Sequence, residues 1–318
     1  MRKYLIPDEG KFYKANFHTH STHSDGALTP EKLKEVYVKN GYSIIAYTDH
    51  NVVNWFDDLS DENFLVLCGY EADISTHVTA ENGINYNKTC HMCAIARDPL
   101  TAKLVQKPDS YTPENANKLI ADLSAAGYIV NYNHPYWSNE DSRDYLQLNG
   151  FTAMEIYNTG CELNVNNGIT LNDYACMLRN GKRIFAVATD DNHNRSYVSQ
   201  TPYEDDSCVG FTAIKSPSLT YSDVISAFEN GHFYASWGPE IKALYIEDNK
   251  LCIETSPVRA IFLRCSNIGS KTYDYSPDNN LTYAEFNLDN LGKNEVVWFE
   301  VIDKDKNIAA TNPYYSVT

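Results

Sequence analysis

Short apolar runs alternate with amphipathic stretches through the first two-thirds of the chain. Runs such as SIIAY, NFLVLCGY, KTCHMCAIA, YIVNY, FTAMEIY and KRIFAVAT predict buried strands. Helix signals fall between several of them. In LTPEKLKEVYVKNGY, Thr29 is a good N-cap, Pro30 takes the first helical position and Gly41 closes the helix. YTPENANKLIADLSAAG repeats the device with Pro113 and Gly127. LNDYACMLRNG and SDVISAFENG predict two more helices, and HFYAS a last strand. Strand followed by helix, repeated this often, predicts an α/β fold with a parallel sheet, open or closed into a barrel.

The pattern changes after the breaker Gly238-Pro239. IKALYIED, KLCIET, VRAIFLRCS, LTYAEFNL and EVVWFEVID read as short alternating strands with turn residues between them, such as Asp248-Asn249. No helical period occurs there. The expected organisation is an α/β domain over residues 1–238 and a small all-β sandwich over residues 239–318.

Composition narrows this picture. With 318 residues the chain can bury a sizeable core. A net charge of −16 argues against a broad electrostatic footprint for duplex nucleic acid or an anionic membrane. It leaves room for a small anionic substrate, because bound divalent metals would reverse the sign locally. The N-terminal MRKYLIPDEG lacks an apolar signal core and no run of 18 apolar residues occurs, so a soluble protein is expected. The eight cysteines are dispersed, which predicts reduced thiols and a cytoplasmic setting. Cys90 and Cys93 form a C-x-x-C without a second copy, and are read as two strand cysteines rather than a zinc ribbon.

The chemistry lies in where the histidines fall. NFHTHSTHSDG places His18 and His20 at the end of the first strand, with Asp25 in the loop after it. His50 ends the second strand and Glu71 the third. His91 starts the fourth, His134 ends the fifth, and Asp191 and His193 end a later one. In a parallel barrel all strand C-termini open on one face, so these residues would converge. A lone histidine near a strand end is more often a hydrogen-bonded residue than a ligand. Six of them in this placement, with an H-x-H and a D-x-H, argue for metal. Both spacings put their side chains on one side of an extended strand. Imidazole and carboxylate suit Zn, Mn or Fe. Nine donors are too many for one tetrahedral ion and suit two or three, with Glu71 as a bridge. His77 and His232 fit no such pattern. His23 shares the first loop; a surface role is the default reading, and contact with substrate or a metal is the alternative.

FHTHSTHSDG, AYTDHN, GYE, NHP and TDDNH together resemble the ordered motifs of the PHP (polymerase and histidinol phosphatase) superfamily, from Asn16 to Ser236. The resemblance implies a distorted (β/α)7 barrel, up to three divalent metals at the strand C-termini, and hydrolysis of phosphate esters. Residue by residue it implies His18, His20, Asp25, His50, Glu71, His134, Asp191 and His193 as ligands; His91 rests on its position alone. GHFYASWGPE, the β-region after it and ATNPYY are similar to the carbaryl-hydrolase-like branch, which joins the barrel to a C-terminal β-sandwich. Members of that branch need not be phosphatases.

The expected function is therefore a metal-dependent phosphoesterase acting on a small phosphate ester. Its attacking hydroxide would be held, through the metals, by Glu71, Asp191 and His193, with Arg195 on a phosphate oxygen. Hydrolysis of a carbamate, amide or carboxylate ester on the same barrel is the alternative. A metal-containing binding protein is a third reading.

Overall fold

The computed structural model describes residues 2–197, 205–265, 273–291, 295–315 and 317. The first strands are β1 (Lys3–Tyr4), β2 (Lys11–Asn16), β3 (Ile44–Tyr47), β4 (Leu65–Thr79), β5 (Asn85–Ala96) and β6 (Tyr128–Tyr132). Then come β7 (Ala153–Asn158), β8 (Phe185–Thr189), β9 (Phe211–Ser216) and β10 (Phe233–Ser236). The C-terminal region holds β11 (Ile241–Glu247), β12 (Lys250–Val258), β13 (Ala260–Cys265), β14 (Tyr273–Tyr275), β15 (Leu281–Asn287), β16 (Val296–Ile302), β17 (Ile308–Thr311) and β18 (Tyr314–Tyr315). The helices are α1 (Pro30–Lys39), α2 (Pro113–Ala125), α3 (Ser142–Tyr145), α4 (Thr159–Val165), α5 (Leu171–Arg179) and α6 (Tyr221–Glu229).

The four helices expected from caps and periodicity form as α1, α2, α5 and α6. Thr29, Thr112 and Thr220 each accept the backbone N–H three residues on, satisfying a donor that the first turn would leave orphaned. α2 buries Ala116, Leu119, Ile120 and Leu123, a spacing of three and four that lays one stripe on the sheet. Two short helices escaped the sequence reading. α4 has no apolar stripe; it starts because the Asn158 side chain accepts from the Cys161 N–H as the strand ends.

The sheet is mixed, and here the sequence expectation needs correcting. β2 pairs in parallel with β3, β3 with β4, β6 with β7 and β7 with β8. β4 and β5 instead form a long antiparallel hairpin, β5 meets β6 antiparallel, and β9 runs antiparallel to β2. The cause is chain length. Only residues 80–84 join β4 to β5, too few for the crossover that a parallel neighbour needs. A uniform (β/α)7 barrel does not follow from this pairing. Among the described residues no backbone ladder joins β8 to β9. The Thr212 hydroxyl spans the gap, accepting from Ala188 N at 3.2 Å and donating to Ala188 O at 3.1 Å. What stands is a mixed α/β fold built on one large sheet.

Phe17, Ile44, Leu67, Ile95, Ile129, Val187 and Phe233 form a core on one side of these strands. The apolar stripes of α2 and α5 pack on the other side, with Tyr70, Met92, Val130 and Met154. Beyond residue 238 the hydrogen bonding is continuous: β10 pairs with β17, which leads on to β16, β13 and β14. β1, β11, β12 and β15 make a second, four-stranded sheet. Phe286 from it meets Phe299 of the large sheet, ring centroids 5.7 Å apart. Cys90 and Cys93 are free thiols, and both lie on β5. No described helix is long and apolar enough to cross a membrane.

Candidate metal centre

The first loop is shaped by buried polar side chains. Asn16, at the end of β2, donates to His18 O and the Thr19 hydroxyl, and its Oδ1 accepts from Asp190 N. Asp49, just before His50, accepts from Ser21 N, the Ser21 and Ser24 hydroxyls and the Asn54 amide. These bonds turn the His20–Asp25 segment back over the strand ends. Gly26 is needed there, because a Cβ would stand 2.3 Å from His20 O.

The second strand pair adds Glu71 and His91. His91 sits within β5, directly across from Asp73 of β4, two residues beyond Glu71 along the hairpin. Because β5 is antiparallel, its early residues lie where its neighbours end. His91 is the seventh of the twelve residues of β5 rather than its first, and it comes beside the end of β6, where Asn133 N donates to His91 O at 3.0 Å. His134 and Asp191 follow β6 and β8 with positive φ values of 21° and 50°, a backbone strain characteristic of functional positions. The Asp191 N–H donates to His18 O at 2.9 Å, tying the last motif to the first.

The nine residues expected from sequence come together. His18, His134 and Asp191 form one group whose donor atoms lie within 4.8 Å of each other. His50, Glu71 and His91 form another, and His20, Asp25, His50 and His193 a third. Glu71 is fully buried between them. Its Oε1 lies 3.1 Å from His18 Nε2, 3.1 Å from His91 Nδ1 and 3.4 Å from His134 Nε2. Its Oε2 faces His20 Nε2 at 3.4 Å and His50 Nδ1 at 3.1 Å. Asp191 Oδ1 lies 3.1 Å from His18 Nε2 and 3.0 Å from His20 Nε2.

The donor set fits divalent cations. Buried atoms face one another here without satisfying one another. Glu71 Oε2 and His50 Nδ1 are 3.1 Å apart, yet neither has a hydrogen-bond partner. Glu155 Oε1 lies 2.7 Å from His18 Nδ1, so that nitrogen carries the proton and Nε2 presents a lone pair. That lone pair looks at two carboxylates and at His20 Nε2, 3.1 Å away. Burial alone would lower the His20 pKa, but hydrogen bonds to Asp191 and Glu71 and their charge push it up to about 9. Burial likewise favours neutral Glu71, yet the surrounding imidazoles hold it well below the usual carboxylate range. A chain that gathers this much acceptor density calls for positive charge from outside.

Two expectations need a finer account. Arg195 lines the cavity above the cluster, its Nη2 3.8 Å from Asp25 Oδ2. His23 does not line it. Its ring packs edge-on against Phe56 at 5.0 Å, and its backbone N–H donates to the Ser21 hydroxyl. His77 pairs with Asn87 out on the hairpin. Sequence reasoning missed the supporting layer. Glu155 is the main omission; besides His18 it accepts from His134 N, the Thr189 hydroxyl and the Asn158 amide. Asn133 donates to Glu71 Oε1 at 2.7 Å. Its place beside His134 was the available signal, whereas Glu155 sits inside an apolar run with none.

A family model described as PHP domain matches residues 16–149. No curated protein matches the chain significantly. Among solved structures, a two-domain protein containing a predicted PHP-like metal-dependent phosphoesterase, from Bacteroides vulgatus, is similar at 15% identity and a TM-score of 0.48. That match covers 98% of this chain and 97% of that one. An amidohydrolase from Chromobacterium violaceum is similar at 14% identity and a TM-score of 0.40, over 56% of this chain and 87% of that one. The matched residues 16–149 carry seven of the nine gathered donors, from His18 to His134.

Proposed function

We propose that this protein is a metal-dependent phosphoesterase that hydrolyses a small phosphate ester. The observation that carries the reading is the cluster of nine imidazole and carboxylate donors, seven of which line an open cavity of about 340 Å³. His18, His134 and Asp191 would hold one ion, and His50, Glu71 and His91 a second. Asp25, His20 and His193 add the donors for a third, with His50 shared. Glu71 turns its two oxygens toward different histidines, the arrangement a bridging carboxylate needs. Zn, Mn and Fe suit this donor chemistry. Bound there, such ions supply an acidified water and neutralise charge on the phosphoryl oxygens.

The chain's own residues do the rest. Glu155 holds the His18 tautomer, and Asn133 fixes the Glu71 carboxylate. Glu71, Asp191 and His193 present the donors between which the reacting groups would be oriented. Arg195, half-exposed at the rim, is the one Lys or Arg among the described lining residues and would take a phosphate oxygen.

The test is release of inorganic phosphate from phosphomonoesters and diesters by Mn- and Zn-loaded protein, with bound metal measured alongside. Phosphate release that disappears with EDTA and in His50→Ala supports the reading. Bound metal without phosphate release overturns it. Carbamates, amides and carboxylate esters would then be assayed.

A further inference from the structure

The cavity walls carry more information than the metal floor. Trp137, three residues after His134, lines the cavity and leaves 42% of its surface exposed. Its indole meets the His134 ring at 5.0 Å and 81° and the His91 ring at 5.5 Å and 62°, edge to face. Tyr136 beside it is also exposed. Val165, the last residue of α4, lines the cavity with 55% of its surface open. Large apolar side chains left bare at the mouth of a polar pocket mark a binding surface.

The charge inventory is as specific. Arg195 is the only Lys or Arg among the described lining residues, and its 3.8 Å contact with half-exposed Asp25 is a weak one. Each additional phosphate on a substrate would need a countercharge that these walls do not offer. Asn164 adds a neutral amide.

Resting on the phosphoester reading, the geometry points to a substrate with one phosphate group and a flat aromatic group that packs on Trp137. An aryl phosphate or a nucleoside monophosphate has this chemistry. Polyphosphates and esters of small aliphatic alcohols do not. Trp137 is then the residue that sets specificity, because a planar ring gains contact with the indole beyond simple burial of area.

Binding of two unreactive probes tests this without turnover. Phenylphosphonate and methylphosphonate share the anionic head and differ in the flat group. Calorimetric titration of the Mn-loaded protein should give phenylphosphonate an affinity about tenfold higher or more. In Trp137→Ala that ratio should fall toward one, and Trp137→Phe should keep part of it. The Phe variant retains an aromatic face, so it carries the test even where the Ala variant fails to fold. Equal affinities in the unmodified protein, or a ratio that survives in the folded Ala variant, would overturn the inference and leave the phosphoester reading standing. Binding of neither phosphonate would overturn both.

Discussion

Two buried polar clusters lie close together on β5 and β6, and they solve the same electrostatic problem differently. One is the set of histidines and carboxylates around Glu71. The other surrounds Lys88, Asp144 and Glu140. There Lys88 Nζ donates to both Asp144 oxygens, at 2.8 and 2.7 Å, and Glu140 accepts from the Tyr132 hydroxyl at 2.8 Å. Asp144 also caps α3 by accepting from Asp141 N. This second cluster contains its own cation. The first contains no Lys or Arg, and in it Glu71 Oε2 and His50 Nδ1 stand 3.1 Å apart with no hydrogen bond to either. A metal centre is therefore recognised by missing positive charge, not by acidic residues as such.

The contrast can be broken from either side. Asp191→Asn should abolish one group of donors, lowering activity by on the order of a thousandfold or more. Bound metal, read by mass spectrometry, should fall with it. Unchanged metal and turnover would show that Asp191 is not part of the centre. Lys88→Met should do the reverse. It strands a buried carboxylate at a cost of about 3–5 kcal/mol in urea unfolding, while the folded fraction keeps its metal stoichiometry.

Glu155→Gln probes the link between His18 and its support. Removing the negative charge at 2.7 Å from His18 Nδ1 should weaken metal affinity about 10- to 100-fold, measured by calorimetry. Wild-type affinity would mean that Glu155 serves only packing.

The smallest effect concerns pH. Burial pushes Glu140 up to about 8, against the lowering influence of its Tyr132 hydrogen bond and of Lys88, with Asp144 nearby raising it. A raised carboxyl pKa means that the folded state binds a proton the unfolded chain has already released. That contribution is complete below the unfolded value near 4.5 and is lost as pH rises through about 8. Glu140→Gln should flatten this part of the stability–pH curve, and a slope unchanged in the variant would assign it to other groups.

Much of the centre was legible because its residues carry local signals. H-x-H, T-D-H and D-x-H fix the residue types and put them just past strand ends: His18 and His20 follow β2, His50 follows β3, and Asp191 and His193 follow β8. The threonine caps with a following proline made α1 and α2 readable for the same reason. The topology was less legible. Nothing local in NFLVLCGYEAD distinguishes a parallel from an antiparallel neighbour; only the short connection to KTCHMCAIA does. Glu155 was hidden because alternation in AMEIYN is masked by burial on both faces. His23 was ambiguous since loop residues carry no periodicity at all, and its packing on Phe56 is a tertiary fact.

The bond from Asp191 N to His18 O has a meaning in time as well as in space. Strand β2 lies between β3, its near neighbour in sequence, and β9, which ends at Ser216. During synthesis the donors up to His91 leave the ribosome early, and Asp191 follows on the order of 100 residues later, about 5–20 s at ordinary elongation rates. For that interval six of the nine donors exist beside an unpaired strand edge. The nascent chain must keep that edge from foreign partners until its own late strands arrive, so metal acquisition belongs to the end of folding.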